Sequence, residues 1–186
     1  MEKIAILLPC LNEEECIGEV VNGFQESIPG AAVYVCDNGS TDRTSEKAEE
    51  AGATVYHENA RGKGNAVRRL FSDVDAEVYV LADGDGTYDP SEAPRMVDSL
   101  LANRADMIIG SRKDSYHWSD SRRGHHTGNQ LITGTVKKLF NIQISDVLSG
   151  YRILSRRFVK SAPVLVTGFE VESALTIHAL EVKANV

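Results

Sequence analysis

Short apolar runs alternate with amphipathic stretches through the first 110 positions of this 186-residue chain. The apolar runs predict five β-strands, at residues 3–8, 32–36, 54–56, 78–82 and 106–110. Between successive runs, apolar residues recur at helical spacing, as at Ile17, Val20, Val21 and Phe24. Strands that are apolar throughout and alternate with helices are typical of a parallel sheet covered on both faces. The pattern therefore predicts an α/β fold with a mostly parallel sheet.

The polar segments after the first and second predicted strands are each predicted to contain the capping residue of the helix that follows. Asn12 is placed as the cap of the first helix, with Glu13–Glu15 in its first turn, where carboxylates favour the positive end of the helix dipole. In the segment CDNGSTDRT, Ser40 or Thr41 is the predicted cap of the second helix.

The pattern changes after residue 110. Residues 111–128 are polar and rich in Arg, His and Ser, which predicts a loop over one edge of the sheet. Helices are predicted at 129–140 and 169–180. The closing LEVKANV resembles the beginning of a further strand, so we expect the sequence to be part of a longer protein.

Composition narrows the class of protein. A formal net charge of −7 provides no general attraction for nucleic acid or anionic lipid. The three cysteines form no C-x-x-C pair, which favours a reducing compartment. The opening MEKIAILLPC has too short an apolar run for a signal peptide, and no run approaches the ~20 residues that span a bilayer. We expect a cytoplasmic protein without a nucleic-acid partner.

Four polar clusters follow the predicted strands, at residues 9–13, 37–42, 83–89 and 110–112. In an open parallel sheet, ligands bind beyond the carboxyl ends of the strands. The four clusters should therefore meet at one edge of the sheet and form a single ligand site.

The segment DGDG places the carboxylates of Asp83 and Asp85 on one tight turn after an apolar strand. Hard divalent cations such as Mg²⁺ or Mn²⁺ prefer oxygen ligands and often use two carboxylates together with substrate phosphates. A bound cation would cancel the repulsion between the two aspartates. The alternative is a solvated turn, in which aspartate and glycine simply favour loop geometry.

The segment RGKGNAVRR places Arg61 and Lys63 before a predicted helix, beside Gly62 and Gly64. Exposed amides, a helix dipole and two cations suit a phosphate, although on its own an ordinary glycine-rich loop explains the segment better. G-x-x-x-x-G-K-[ST] and G-x-G-x-x-G are both missing, which weakens NTPase and dinucleotide-enzyme interpretations.

Further polar residues could take part in chemistry. The carboxylate of Asp37 could accept hydrogen bonds from a ribose or a base. Arg112 and Arg152 could clamp a phosphate, and Asp146 could act as a general base or an orienting group. Taken singly, these last three fit a salt-bridged structural loop better.

Taken in order, seven segments of the chain resemble family 2 glycosyltransferases with the GT-A fold. They are PCLNEEE, VCDNGSTDRT, RGKGNAVRRLF, VLADGDGTYDP, IIGSR, DVLSGYR and GFEVESALTIHAL. Within that family, the last two segments are similar to the branch that includes dolichol-phosphate mannose synthases and bacterial polyprenyl-phosphate glycosyltransferases.

The resemblance implies an inverting transfer from a UDP- or GDP-sugar, with Mg²⁺ or Mn²⁺ as cofactor. It implies a nucleotide-sugar-binding part at 1–112 and an acceptor-side part at 113–186. A lipid phosphate is the implied acceptor, and longer members of the branch act at the cytoplasmic face of a membrane. The segment GTYDP differs from the glutamine-containing segment of mannose synthases, so the donor sugar is left open.

The resemblance also implies roles for particular residues. The implied donor-site residues are Pro9, Asn12 and Glu13 at the base, Asp37 at the nucleoside, Lys63 beside the donor, and Asp83, Gly84 and Asp85 in the D-x-D segment. The two aspartates of this segment would hold the metal on the diphosphate.

On the acceptor side, the resemblance implies that Arg112 and Arg152 face the acceptor phosphate and that Asp146 is a catalytic acid or base. Two other functions stay open: a nucleotidyltransferase that makes a nucleotide sugar, and a nucleotide-sugar-binding domain without turnover.

Overall fold

The computed structural model describes residues 3–110 and 148–186. The predicted loop at 111–128, the predicted helix at 129–140, Arg112 and Asp146 lie outside these residues.

Strands and helices alternate along the described chain. The strands are β1 (Ile4–Cys10), β2 (Ala32–Asp37), β3 (Thr54–His57), β4 (Val78–Leu81), β5 (Met107–Ile109) and β6 (Arg152–Ser155). The helices are α1 (Ile17–Ser27), α2 (Thr44–Glu50), α3 (Lys63–Asp73), α4 (Ala93–Asn103), α5 (Arg156–Ser161) and α6 (Val171–Glu181), with a 3₁₀ turn at Pro90–Glu92.

The strands form one sheet in the order β3-β2-β1-β4-β6-β5. β1 pairs in parallel with β2 and β4, in registers that align Ala5 with Ala32 and Ile4 with Val78. β6 is antiparallel to both of its neighbours, β4 and β5. The predicted α/β architecture with a mostly parallel sheet is confirmed. The antiparallel strand β6 inserted beside β4 is a feature that the sequence pattern did not predict.

Apolar side chains pack on both faces of the sheet. On one face, Ile6 and Leu8 of β1 belong to a cluster with Phe24 of α1. On the other face, Leu7 belongs to a cluster with Leu70 of α3 and Phe158 of α5. Successive residues of a strand point to opposite faces, so a strand that is covered on both sides must be apolar throughout. Within the described residues, no helix combines the length and the apolar character that crossing a membrane requires.

The first two helices begin later than the sequence predicted. Asn12 has φ 56°, a left-handed conformation that cannot belong to a right-handed helix, and α1 begins at Ile17 after a turn. α2 begins at Thr44, because the carboxylate of Asp42 accepts hydrogen bonds from the Thr44 N–H at 3.0 Å and the Thr44 hydroxyl at 2.6 Å. The predicted caps at Asn12, Ser40 and Thr41 were therefore wrong.

The end of the chain also differs from its prediction. The first two residues of LEVKANV, Leu180 and Glu181, complete α6, and the rest of the segment does not form a strand. Instead, the carbonyl of Asn185 accepts hydrogen bonds from the N–H groups of Asp106 at 2.7 Å and Met107 at 3.2 Å. This contact ties the segment after α6 to the start of β5.

Candidate functional site

A cavity of about 200 Å³ lies beyond the carboxyl ends of β1, β2 and β4. It is lined by Pro9, Cys10, Leu11, Glu13, Asn38, Gly62, Lys63, Ala66, Asp83, Asp85 and Phe169. Five of the predicted donor-site residues are among these: Pro9, Glu13, Lys63, Asp83 and Asp85. The polar clusters that follow three separate strands therefore meet in one concave site, as the topology of a parallel sheet requires.

Lys63 links two carboxylates at this cavity. Its Nζ lies 2.5 Å from Asp83 Oδ1 and 2.5 Å from Glu172 Oε1. Asp83 follows β4, whereas Glu172 stands in the first turn of α6 and does not line the cavity. The ammonium thus joins the end of the central sheet to a helix that comes about 90 residues later.

Burial and charge act in opposite directions on the pKa values of Lys63 and Asp83. Burial alone would lower the pKa of Lys63, but the adjacent carboxylates of Asp83 and Glu172 outweigh it and hold that pKa above its usual range. Burial raises the pKa of Asp83, against the opposing effect of Lys63. Two carboxylates share one ammonium, so the trio carries a net negative charge when all three groups are ionised.

Glu13 adds a further carboxyl group to this acidic corner. Its Oε2 is buried and has no hydrogen-bond partner within the described residues. Burial raises the pKa of Glu13 from 4.5 to about 7, with repulsion from Asp85 and Asp83 adding to it and the adjacent Cys10 thiol opposing it. Burial likewise raises the pKa of the neighbouring Cys10 thiol, which makes it a weakly reactive thiol. This corner of the cavity would be stabilised by an additional positive charge.

The residues present fit a divalent cation. Asp85 is exposed on the turn after β4, and its Oδ1 accepts a hydrogen bond from the Thr87 N–H at 2.9 Å. No three metal-binding side chains of the described ranges, 3–110 and 148–186, are close enough to form a complete site. A cation on Asp83 and Asp85 would therefore take its remaining ligands from phosphate oxygens or water, which suits Mg²⁺ or Mn²⁺.

Two glycines let the acidic turn pack against its neighbours. A Cβ on Gly84 would collide with Glu13 Oε2 and with the Cys10 sulfur. A Cβ on Gly150 would lie 3.0 Å from Asp83 Oδ2, and the Gly150 N–H donates to the hydroxyl of Tyr88 at 2.8 Å. Gly84 does not line the cavity, so its place in the structure is steric, and the predicted contact with the nucleotide sugar stays a prediction.

Gly62 and Gly64, at the start of α3, also allow a close approach of a neighbouring backbone segment. The Gly64 N–H donates to the Thr167 carbonyl at 2.9 Å, and the Gly62 N–H donates to Asn38 Oδ1 at 2.6 Å. A Cβ on either glycine would collide with the backbone of residues 166–167. Both amides already have partners within the fold, which favours the glycine-rich loop over an open phosphate cradle for this segment.

Asn12 and Asp37 hold loops together and do not line the cavity. Asn12 Oδ1 accepts from the Thr41 N–H at 2.8 Å, and the Asn12 N–H donates to Ser40 Oγ at 2.9 Å. Asp37 is buried, and its carboxylate accepts from the Ser40 N–H at 2.7 Å and from the Ser45 hydroxyl. These hydrogen bonds outweigh the effect of burial and lower the pKa of Asp37. The predicted nucleoside contact of Asp37 stays a prediction.

Arg152 lies in the interior, with 0% of its surface exposed. Its Nε donates to the Ser149 carbonyl at 3.0 Å, and its Nη1 donates to Thr176 Oγ1 at 2.9 Å. The prediction that Arg152 faces an acceptor phosphate does not fit this placement, because a fully buried guanidinium has no surface to present. The predicted acceptor-side residues Arg112 and Asp146 lie outside the described residues.

Comparison with protein families decides the classification. The model of "Glycosyl transferase family 2" matches residues 5–161, which is most of the chain. The chain belongs to glycosyltransferase family 2. The D-x-D segment at 83–85, the preceding strand β4 and the start of α3 all lie within the matched region.

Named relatives of this family 2 glycosyltransferase support the same assignment. Protein RfbJ of Shigella flexneri is 50% identical over 122 residues, which cover 66% of this chain and 95% of RfbJ. The dolichyl-phosphate hexose transferase of Haloferax volcanii is 29% identical over 158 residues, which cover 85% of this chain and 68% of that enzyme.

Among solved structures, glucosyl-3-phosphoglycerate synthase from Mycobacterium tuberculosis, in complex with Mn²⁺, UDP and phosphoglyceric acid, has a TM-score of 0.79 and 25% identity. The match covers 97% of this chain and 64% of the synthase chain. The predicted GT-A fold is therefore confirmed. The chain spans about half the length of several other curated relatives that it matches.

Three residues of this glycosyltransferase site were given no role from the sequence, although they lie in the segments VCDNGSTDRT and GFEVESALTIHAL that carry the family resemblance. Asn38 both lines the cavity and donates to the carbonyls of Glu58 and Ala60. Phe169 lines the cavity with 82% of its surface exposed. Glu172 appears in the sequence as one more acidic residue in an apolar helix. Only its burial beside Lys63, across 109 positions of sequence, distinguishes it.

Proposed function

We propose that this chain carries the catalytic domain of a metal-dependent, inverting glycosyltransferase that moves a sugar from a nucleotide-sugar donor to a polyprenyl phosphate. The observation that supports it best is one cavity in which the acidic turn at 83–85, the ammonium of Lys63 and the buried carboxyl of Glu13 come together. The solved synthase that resembles this fold binds Mn²⁺ and UDP. The dolichyl-phosphate hexose transferase among the relatives favours a lipid-phosphate acceptor.

In this proposal, Asp83 and Asp85 hold Mn²⁺ or Mg²⁺ against the donor diphosphate. The cation supplies positive charge where the leaving nucleoside diphosphate gains negative charge. Lys63, whose pKa is raised, keeps its ammonium charged and adds to that stabilisation. Pro9 and Leu11 line the same cavity and offer an apolar surface to the nucleoside.

The acceptor places different demands on the protein. A lipid phosphate is already an anionic nucleophile, so positioning it matters more than removing a proton from it. Arg112 is the proposed positioning cation. Asp146 becomes important as a general base if the acceptor is a sugar hydroxyl. The division into a donor part at 1–112 and an acceptor part at 113–186 belongs to the same proposal.

Turnover tests the proposal directly. The protein is incubated with UDP- or GDP-sugars and polyprenyl phosphate in detergent micelles, and release of nucleoside diphosphate is measured with Mn²⁺, with Mg²⁺ or with EDTA. We expect release only with a divalent cation, and a loss of about a hundredfold in Asp85→Asn. Asp98→Asn, at an exposed position of α4, is the matched control and should keep full activity.

Three results would count against the proposal. Undiminished turnover in EDTA or in Asp85→Asn would remove the metal role. Release of pyrophosphate from a nucleoside triphosphate and a sugar phosphate would indicate a nucleotidyltransferase. Binding of UDP without any turnover would indicate a non-catalytic domain.

A further inference from the structure

Glu172 is a buried carboxylate whose surroundings are tied to the donor cavity. Only 8% of the surface of its side chain is exposed, and its Oε1 lies 2.5 Å from Lys63 Nζ. A carboxylate is costly to bury unless it is paired with a cation. The second partner of the same ammonium is Asp83, which lines the cavity and belongs to the acidic turn.

We propose that Glu172 is a positioning residue of the donor site: by fixing the Lys63 ammonium beside Asp83, it sets where that positive charge meets the donor diphosphate. The inference deepens the proposed function and rests on it. Glu172 touches neither the cavity nor the donor, and it acts through Lys63 alone.

The hydrogen-bonding capacity of an ammonium supports this role. A lysine ammonium has three N–H donors. Two of them are directed to Asp83 and Glu172, which leaves one for a ligand in the cavity that Lys63 lines. A lysine carries a flexible four-carbon stem, so an ammonium held from two sides is placed far more exactly than one held from a single side.

The second anchor also matters because Asp83 has another proposed partner. A divalent cation on Asp83 would compete with Lys63 for the same carboxylate. Glu172 lies away from the cavity and stays available, so Lys63 keeps an anchor when Asp83 is shared. With Asp83 as its only partner, the ammonium would lose its place as the cation arrives.

The backbone around Glu172 is itself held firmly. The Thr176 hydroxyl donates to the Glu172 carbonyl at 3.0 Å and accepts from Arg152 Nη1 at 2.9 Å. Arg152 belongs to β6, which pairs with β4, and β4 leads directly to Asp83. The two carboxylates that grip Lys63 are therefore carried by parts of the fold that contact each other.

The experiment is a double-mutant cycle between the two residues. Glu172→Gln, Lys63→Met and the combined variant are compared with the original protein for kcat, for KM of the donor, and for the dissociation constant of UDP in Mn²⁺ by calorimetry. Glu181→Gln, at an exposed position of the same helix, is the matched control and should change nothing.

We expect Glu172→Gln to lower kcat on the order of tenfold to a hundredfold, with a smaller change in KM, because a displaced ammonium stabilises the leaving group less. In the Lys63→Met background, the same substitution should cause no further loss. Glu172→Asp keeps the charge but withdraws the carboxylate by one methylene group, and it should also lose activity. A residue that contributes only its charge would keep activity in this conservative variant.

Two results would overturn the inference: losses that multiply in the combined variant, or full activity in Glu172→Asp.

A thermal-unfolding cycle gives a readout that is independent of turnover. Lys63→Met leaves the buried carboxylate of Glu172 and the partly buried carboxylate of Asp83 without their cation and should lower Tm, and adding Glu172→Gln should restore part of it. If the original protein neither binds UDP nor turns over, the proposed function fails, whereas an additive Tm cycle would refute the Lys63–Glu172 coupling itself.

Discussion

Gly64→Ala should destabilise the protein although it replaces a helical glycine by the best helix former. Gly64 is the second residue of α3. A Cβ at this position would lie 2.9 Å from the Val166 carbonyl carbon and 3.0 Å from the Thr167 carbonyl carbon, and closer still to the Val166 oxygen. These are backbone atoms, so no side-chain rotation can relieve the contact. The segment at 166–167 must move away from α3.

The magnitude follows from three contributions. Overpacking of this kind costs about 1–3 kcal/mol. Losing the hydrogen bond from the Gly64 N–H to the Thr167 carbonyl costs about 1 kcal/mol. The gain in helix propensity returns about 0.5–1 kcal/mol. The net loss is about 2 kcal/mol, which corresponds to a fall in Tm of about 4–8 °C for a chain of this size.

Gly18→Ala is the matched control. Gly18 is the second residue of α1, and its Cβ would meet only the Lys47 carbonyl oxygen, at 4.0 Å. It should therefore raise the free energy of unfolding by about 0.5–1 kcal/mol. Urea unfolding, followed by circular dichroism, measures both variants. The reasoning is refuted if Gly64→Ala is as stable as the original protein, or if the two variants shift in the same direction.

Three further predictions concern single residues. In the metal-free protein, Glu13 binds its proton more tightly folded than unfolded, so its contribution is complete below pH 4.5 and is lost as the pH rises through about 7. Glu13→Gln should remove about 3 kcal/mol of pH dependence from urea unfolding in EDTA, and an unchanged pH profile would count against the raised pKa. Arg152→Leu should cost at least about 2 kcal/mol in the same assay, because Thr176 Oγ1 and other buried acceptors lose a donor; unchanged stability would favour the acceptor role instead. Phe169→Ser should leave Tm unchanged but weaken UDP binding in Mn²⁺ about threefold to tenfold by calorimetry, whereas Leu165→Ser, equally exposed but outside the cavity, should change neither.

The sequence predicted the sheet well because its central strands are buried on both faces. The apolar run Ile4–Leu8 was correctly predicted to be a strand, and β1 continues two residues past the predicted end, through Pro9 to Cys10. The strand β6 could not be placed in the same way. Its pairing between β4 and β5 depends on contacts across many positions, and it begins with a buried arginine, Arg152.

Helix starts were predicted poorly for a related reason. Asn12 and Ser40 are both typical capping residues, but side-chain hydrogen bonds between the loops after β1 and β2 compete with capping. Asn12 Oδ1 accepts from the Thr41 N–H, and Ser40 Oγ accepts from the Asn12 N–H at 2.9 Å. Such contacts between loops are invisible to a pattern that considers one segment at a time.

The candidate site also combines residues that the sequence could predict with residues that only distant contacts reveal. Residues that follow strands, such as Glu13 after β1 and Asp83 after β4, could be found because the topology of a parallel sheet brings them together. Glu172 could not, because its importance lies in burial beside a cation from another part of the chain. The packing role of Gly62 and Gly64 could not be found either, because a glycine that admits a neighbouring backbone looks the same, in sequence, as one that exposes its amide.

The central claim is that the acidic turn at 83–85 holds a divalent cation on the diphosphate of a nucleotide-sugar donor. A crystal of the protein grown with Mn²⁺ and UDP tests this directly by the anomalous signal of manganese. We expect one strong peak within bonding distance of the Asp85 carboxylate and the diphosphate oxygens. A peak elsewhere, with UDP bound and both aspartates directed into solvent, would contradict it.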